Sequence, residues 1–383
     1  MNSLGIAVLI PGWYSFETTG GGKTILELVK AFQKFGADTL FLAPDNCKDY
    51  TMQKDELKSP LFLNLFNTPR HLRLFAFPFV IILRFLQIFS LYGKQISNFF
   101  SSQSLIIIFT HNDVVSTAFS AFAKKLFYKS KVVLVFPWYH VHDGLGGVLN
   151  LCALNFAKQI DILYTESSHN GINAKNSSEM FEEKSFVAGV GIDYAKYRKD
   201  ETLEPKEYDA CFVGRIHPCK GVFDLVRVWK TITAQYPKNR LAIVGEGLPV
   251  HEKELRALVA KEHLENNVVL TGYVSEKQKT RIISTSKVLV HPSYAECIPL
   301  VFLEAMVCKT PVVTYYLPTY SKLSDLIYCV NLGDEVGLAN KIMAVLNHLH
   351  ECNNQLKLQK SMQYASNSDW QLIAKRLLQK CES

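Results

Sequence analysis

The 383-residue sequence has no D-x-D pair anywhere, so it lacks a common carboxylate arrangement for holding a divalent ion. Its nine cysteines are odd in number and include no C-x-x-C pair. That argues against a structural zinc site and a disulfide framework, and for a reducing, cytoplasmic setting. The longest apolar stretch, Leu74–Leu83, is interrupted at Arg84. It falls short of the roughly 20 residues that a membrane-spanning helix needs. No basic stretch precedes the first apolar run and no small-residue cleavage site follows it. Leu4–Ile10 therefore reads as a strand and not as a signal peptide. Acidic side chains are missing from Leu57 through Asn112, and there is no convincing internal repeat.

What is present is ordinary globular composition, 48% hydrophobic and 20% charged. The length exceeds what one core holds and predicts two domains. A net charge of +7 suits anionic ligands or an anionic membrane surface. It is poor support for nucleic acid, and no such partner is expected. Within the acid-free stretch Lys58, Arg70, Arg73, Arg84 and Lys94 interleave with Phe75, Phe77, Phe79, Phe85, Phe89 and Tyr92. A helix over Phe77–Phe99 reads as a core helix with a few solvated arginines. The alternative is an amphipathic helix docking on anionic lipid. The Arg70–Arg73 patch fits either.

Pro11–Gly22 reads as a loop ending in three glycines, Thr24–Phe35 as a helix with Ile25, Leu28, Val29 and Phe32 on one face, and Thr39–Leu42 as the next strand. Strand, glycine loop, helix, strand is a βαβ unit and implies a parallel sheet. Gly22-Lys23-Thr24 copies the end of a phosphate loop. The first glycine of that motif would fall on Glu17, whose carboxylate would repel a triphosphate. Cys47–Thr68 shows no clear period and reads as a loop with a short helix. Strands follow at Ser104–Phe109, Val132–Phe136 and Ile160–Thr165. His111 lies just past the carboxyl end of the first of these, where open α/β sheets bind ligands.

In the second half, Ala210–Val213 is a strand and Val222–Tyr236 a helix, joined by Gly214-Arg215-Ile216-His217-Pro218-Cys219-Lys220-Gly221. A planar guanidinium fork and a point charge on one glycine-flanked turn make a diphosphate clamp in principle, or merely a solvated basic turn. Leu241–Val244, His251–Lys261, Val268–Leu270 and Gln278–Ser286 continue the strand–helix alternation. Lys287–His291 is a strand, Pro292–Glu296 a turn, and Pro299 stands where a first helical residue belongs. Thr310-Pro311 ends that helix. On it Val301, Glu304, Ala305 and Cys308 share one face. A glutamate on such a face needs a partner: an arginine, a lysine, backbone donors or ligand hydroxyls. Glu335–His350 and Trp370–Lys380 read as further helices.

Val288–Thr314 is VLVHPSYAECIPLVFLEAMVCKTPVVT, with seven residues between Glu296 and Glu304. It resembles the signature of glycosyltransferase family four, the group-one, retaining glycosyltransferases of GT-B fold. Gly214-Arg215 and Lys220-Gly221 resemble that family's G-R-x-x-x-x-K-G phrase. Gly20, Gly21 and Pro44 are similar to its first βαβ unit, and Phe186–Asp193 to the phrase that closes its first domain. There are two departures. Lys309 stands where the family has glycine, and YYLPTYSKLSD replaces a glycine-rich turn and a glutamate after P-V-V.

The resemblance implies two Rossmann-like α/β domains facing each other across a cleft. An acceptor-side domain would span 1–200 and a nucleotide-sugar-binding domain 208–365, with a helix in 366–383 packing back on the first. It implies a nucleotide-diphosphate sugar as donor substrate, no cofactor, no metal, and a glycan or lipid-linked acceptor. Arg215, Lys220 and the N–H groups of Cys297, Ile298 and Leu300 would hold the diphosphate, with Gly20, Gly21 and Gly214 allowing close approach. Gly272 and Tyr273 would border the base, Glu304 would read the ribose, Glu296 would hold the sugar, and His111 would touch it. A nucleotide-sugar epimerase or a non-catalytic sugar-nucleotide-binding protein would fit the same fold. Peripheral contact with an anionic membrane, on its cytoplasmic face, is compatible with the basic aromatic stretch.

Overall fold

The computed structural model describes residues 3–9, 20–42, 61–62, 77–110, 114–127, 131–138, 159–165, 184–198, 205–349 and 351–383. The chain divides into two compact units, residues 1–189 with 370–383, and residues 190–369.

The first unit is built on β1 (Leu4–Leu9), β2 (Asp38–Leu42), β3 (Leu61–Phe62), β4 (Leu105–Phe109), β5 (Lys131–Trp138), β6 (Ile162–Thr165) and β7 (Ser185–Val187). They form one sheet in the order β3-β2-β1-β4-β5-β6-β7, and every pairing is parallel. Ile106, Ile107 and Ile108 of β4 are all fully buried, as strands covered on both faces are. β3 falls in the region expected to be a loop with a short helix. β5 runs on to Trp138 and takes in Pro137, which was expected beyond the strand. Among the described residues β4 pairs with it only as far as Val135, and a strand position unpaired on one side tolerates a missing N–H.

Helix α1 (Gly20–Lys34) begins earlier than expected, so the three glycines form its first turn and not the end of a loop. Burial of Ile25, Leu28, Val29 and Phe32 outweighs glycine's poor helix propensity, about 1 kcal/mol per residue. In α2 (Phe77–Ser102) Ile88, Ile96 and Phe100 are buried. Phe85 and Phe89 meet Phe119 and Phe122 of α3 (Val114–Leu126) at ring distances of 5.0 to 5.9 Å. Over its described side chains α2 is a core helix, whereas the Arg70–Arg73 patch lies outside the described residues. The C-terminal helix, Trp370–Glu382, belongs to this unit, as expected. It packs on α1 and buries Trp370, Ile373, Ala374 and Leu377.

The second unit has β8 (Tyr208–Val213), β9 (Leu241–Val244), β10 (Val268–Gly272), β11 (Ser286–Val290), β12 (Val312–Tyr315) and β13 (Tyr328–Val330). Their order is β10-β9-β8-β11-β12-β13, again all parallel. The helices are α4 (Tyr194–Tyr197), α5 (Val222–Gln235), α6 (Pro249–Lys261), α7 (Glu276–Ser284), α8 (Leu300–Val307), α9 (Glu335–Asn347) and α10 (Cys352–Asn367), after which the C-terminal helix is α11. The chain works outward from β8 to β10, then returns to lay β11 on the other side of β8. Loops leaving β8 and β11 therefore diverge at a topological switch point, where such sheets bind ligands.

Pro299 is the N-cap of α8, one place before the helical position expected for it, because its ψ of 130° is extended. α8 ends at Val307, before Thr310-Pro311. Thr310 N–H donates to the Ala305 carbonyl at 2.8 Å and Lys309 N–H to that of Met306 at 3.2 Å. This is a Schellman closure, with Lys309 in the left-handed region at φ +54°. Among the described residues no helix is long and apolar enough to cross a membrane.

Candidate active site

The loops after β8 and β11 are held in backbone contact. Gly221 has φ +66°, and a Cβ there would sit 1.9 Å from the Pro292 carbonyl oxygen. Only glycine allows that approach. The Cys219 carbonyl accepts from Tyr294 N–H at 2.8 Å and from Ser293 Oγ at 3.0 Å. The loop after β9 joins them: a Cβ on Gly245, at φ +137°, would lie 2.0 Å from the Gly214 carbonyl oxygen.

This stitching brings Lys220 Nζ onto Glu296 Oε1. His291 Nε2 lies 3.2 Å from the same oxygen. The His291 ring stacks on Phe212 at 5.4 Å and meets the edge of Phe302 at 5.8 Å. Burial by itself would raise the Glu296 carboxyl. The His291 hydrogen bond and the charges of His291 and Lys220 outweigh it and bring its pKa down to about 2. Glu296 is thus a firmly ionised carboxylate already neutralised by a lysine.

Arg215 is exposed, and it makes no ion pair or hydrogen bond with any described residue. His217 caps the single turn Pro218–Lys220, its Nδ1 accepting from Cys219 N–H at 3.2 Å. Desolvation, then the neighbouring Arg215, His251 and Lys220, lower the His217 pKa. It adds a neutral cap at pH 7, not another charge.

Glu304 is 3% exposed, and its partners are protein groups. Oε1 accepts from Lys279 Nζ at 2.9 Å and from Tyr197 Oη at 3.0 Å. The same two side chains reach Glu276, Tyr197 at 2.8 Å and Lys279 at 3.1 Å. Burial, then the negative Glu304 and Glu276, push the Tyr197 phenol well above its ordinary pKa, so it stays a donor. Glu304 therefore belongs to a cluster of its own and not to the Lys220–Glu296–His291 group.

Of the other expected residues, Gly214 closes β8 and Gly272, at φ +67°, ends β10. Tyr273 beside it is 76% exposed. Cys297, Ile298 and Leu300 flank the start of α8, with the Ile298 side chain buried in the core. Gly20 and Gly21 sit in the first turn of α1. His111 lies outside the described residues. Sequence reasoning missed His291, Lys279, Tyr197 and Asp224. His291 stands inside the signature stretch and was within reach, and Glu276–Lys279 is a visible i,i+3 pair. Nothing local marks Tyr197, whose acceptors are 79 and 107 residues away.

Residues 193–354 match the model of the glycosyl transferases group 1 family. An uncharacterized glycosyltransferase, MJ1059 of Methanocaldococcus jannaschii, is 28% identical over 183 residues, 45% of this chain and 44% of that protein. A D-inositol 3-phosphate glycosyltransferase of Pseudarthrobacter chlorophenolicus is 33% identical over 137 residues, 33% of each chain. The chain thus spans less than half the length of these curated relatives. Whole-chain similarity comes from structure. Anabaena HepE, solved with UDP, superposes with a TM-score of 0.73 at 18% identity over 99% of both chains. A glycosyltransferase of Rickettsia africae gives 0.73 at 14% identity over 100% of this chain and 98% of that one. The whole chain has the GT-B fold of these solved structures, and the group 1 match lies in its second unit. Its departure from the family pattern at Lys309 now has a structural meaning: that position takes a left-handed backbone, which glycine adopts without strain.

Proposed function

We propose that this chain is a retaining glycosyltransferase that moves a sugar from a nucleotide-diphosphate sugar to a glycan or lipid-linked acceptor, without a metal ion. The observation that carries the reading is Arg215, an exposed and unneutralised guanidinium at the switch point, on the same short loop as Lys220. Exposed positive charge on such a turn suits a diphosphate, and the positive end of the α8 dipole would add to it. The same groups would stabilise the charge that develops as the diphosphate leaves, usually the largest catalytic contribution. Glu296 would hold the sugar near its diphosphate link, Glu304 would accept from the ribose, and Gly272 and Tyr273 would border the base. We assign His111 to sugar contact on the family resemblance alone. We place the protein in the cytoplasm, with peripheral contact to anionic lipid through the Arg70–Arg73 patch.

HepE has been solved with UDP and with UDP-glucose, so uridine donors are tested first. Transfer and hydrolysis are followed with UDP-, GDP- and ADP-sugars in EDTA, with NMR of the product anomer. Turnover with retained configuration is expected, and Arg215→Ala and Glu304→Ala should each lower it at least about 10²–10³-fold. Tight nucleotide binding without turnover, or interconversion of the donor sugar without transfer, would replace the reading with a binding protein or an epimerase. Near-native turnover in either variant would overturn the site assignment.

A further inference from the structure

Asp224 stands in the first turn of α5 and is 7% exposed. A buried carboxylate is costly unless donors surround it. Asp224 has three. Oδ2 accepts from Tyr294 Oη at 2.6 Å and Tyr315 Oη at 3.1 Å, and Oδ1 from Arg227 at 2.7 Å. Arg227 is itself fixed by Glu335, the first residue of α9, at 2.6 Å. Tyr315 ends β12, so the acid ties two helices, one strand end and the signature loop to one point.

The contact with Tyr294 is the informative one. The Tyr294 residue is 40% exposed, so burial does not account for its place. Its hydroxyl nevertheless turns inward to the acid, and that hydrogen bond raises its pKa to about 12. Tyr294 precedes Glu296 by two residues. Its backbone N–H already donates to Cys219, in the loop that carries Lys220. On the far side of Glu296, Thr319 Oγ1 donates to the Glu296 carbonyl at 3.0 Å. Glu296 thus hangs between anchors on both sides, and upstream the Tyr294 hydroxyl on Asp224 adds a side-chain tie to the backbone tie at Cys219.

We infer that Asp224 is a positioning residue, which sets the Glu296 carboxylate against Lys220 through the Tyr294 hydroxyl. Its catalytic consequence rests on the function proposed above; the structural consequence does not. In a transferase Tyr294→Phe, which leaves Asp224 with two donors, should lower kcat about tenfold, as expected for losing one hydrogen bond to a charged group. UDP affinity should change less than about threefold, since a single such contact to the loop, not to the ligand, is lost. The deciding measurement is a cycle with Glu296→Gln. In that background Tyr294→Phe should change kcat less than about twofold, because residues acting through one another are not additive. An undiminished tenfold effect there would mean general loosening and would overturn the inference. Hydrogen–deuterium exchange gives a reading independent of turnover: Tyr294→Phe should speed exchange at residues 295–298 and leave 241–244 unchanged. Unaltered exchange at 295–298 sinks the positioning role. Altered exchange in a protein that transfers no sugar sinks the proposed function alone.

Discussion

Lys309→Gly should stabilise the second unit. Lys309 sits at φ +54°, immediately after the C-cap of α8. For a residue with a Cβ, the left-handed conformation costs roughly 1–2 kcal/mol. Glycine removes that cost but loses more freedom on folding, roughly 0.4–1 kcal/mol. The difference leaves a gain of about 0.5–1 kcal/mol. For a unit of this size that is a rise in melting temperature of about 1–4 °C. The two closing hydrogen bonds, from Thr310 to Ala305 and from Lys309 to Met306, use backbone only and survive the change. Urea unfolding followed by circular dichroism, with calorimetry on the full chain, reads the effect. Lys309→Ala is the control, since it shortens the side chain and keeps the Cβ. If glycine and alanine destabilised equally, the lysine side chain and not the backbone would be what matters at this position, and the reasoning would be refuted.

Glu296→Gln should raise the affinity for UDP several-fold, because it releases Lys220 from a competing anion, while slowing transfer about 10²–10³-fold to a rate that can still be measured; calorimetry giving weaker UDP binding would contradict this. Glu296 also sets an acid limb. Its folded pKa of about 2 lies below the ordinary 4.5. It therefore contributes stability above about pH 4.5, on the order of 3 kcal/mol, which is lost as pH falls toward 2. Urea titrations from pH 6 to 2 should show a flatter decline in Glu296→Gln. Lys279→Met should cost roughly 3–5 kcal/mol in chemical unfolding, because it strips a cation from the buried Glu304. Arg215→Ala should leave the melting temperature unchanged within about 1 °C, as exposed substitutions do, while removing about 10²–10³ in kcat.

The sheets were legible because parallel strands buried on both faces are unbroken apolar runs. Leu241–Val244 is read from sequence with the boundaries the fold shows. The signature loops were legible because glycine, proline and paired charges cluster in them. α10 was not: Cys352–Asn367 is largely polar, with Ser361 and Ala365 its buried residues, so no periodic apolar stripe announces it. The need for a partner to Glu304 could be argued from burial alone, but not that Lys279 and Tyr197 supply it. That depends on α4 and α7 being folded against α8, a pairing of elements distant in sequence. Asp224 was hidden for the same reason. Alone in its helix it reads as an ordinary first-turn acid, and only the return of the chain to β11 and β12 brings two tyrosines onto it.

The lysine of the phosphate-seeking loop comes with its own counterion. The Lys220–Glu296 pair cancels most of its own charge, so small inorganic anions meet little net field there. A ligand with several negative oxygens can anchor first on Arg215 and then exchange with the carboxylate. That exchange does two things at once. On the function proposed above, it would seat the ligand and leave Glu296 uncovered beside it. The carboxylate thus stays paired until a stronger anion claims its lysine.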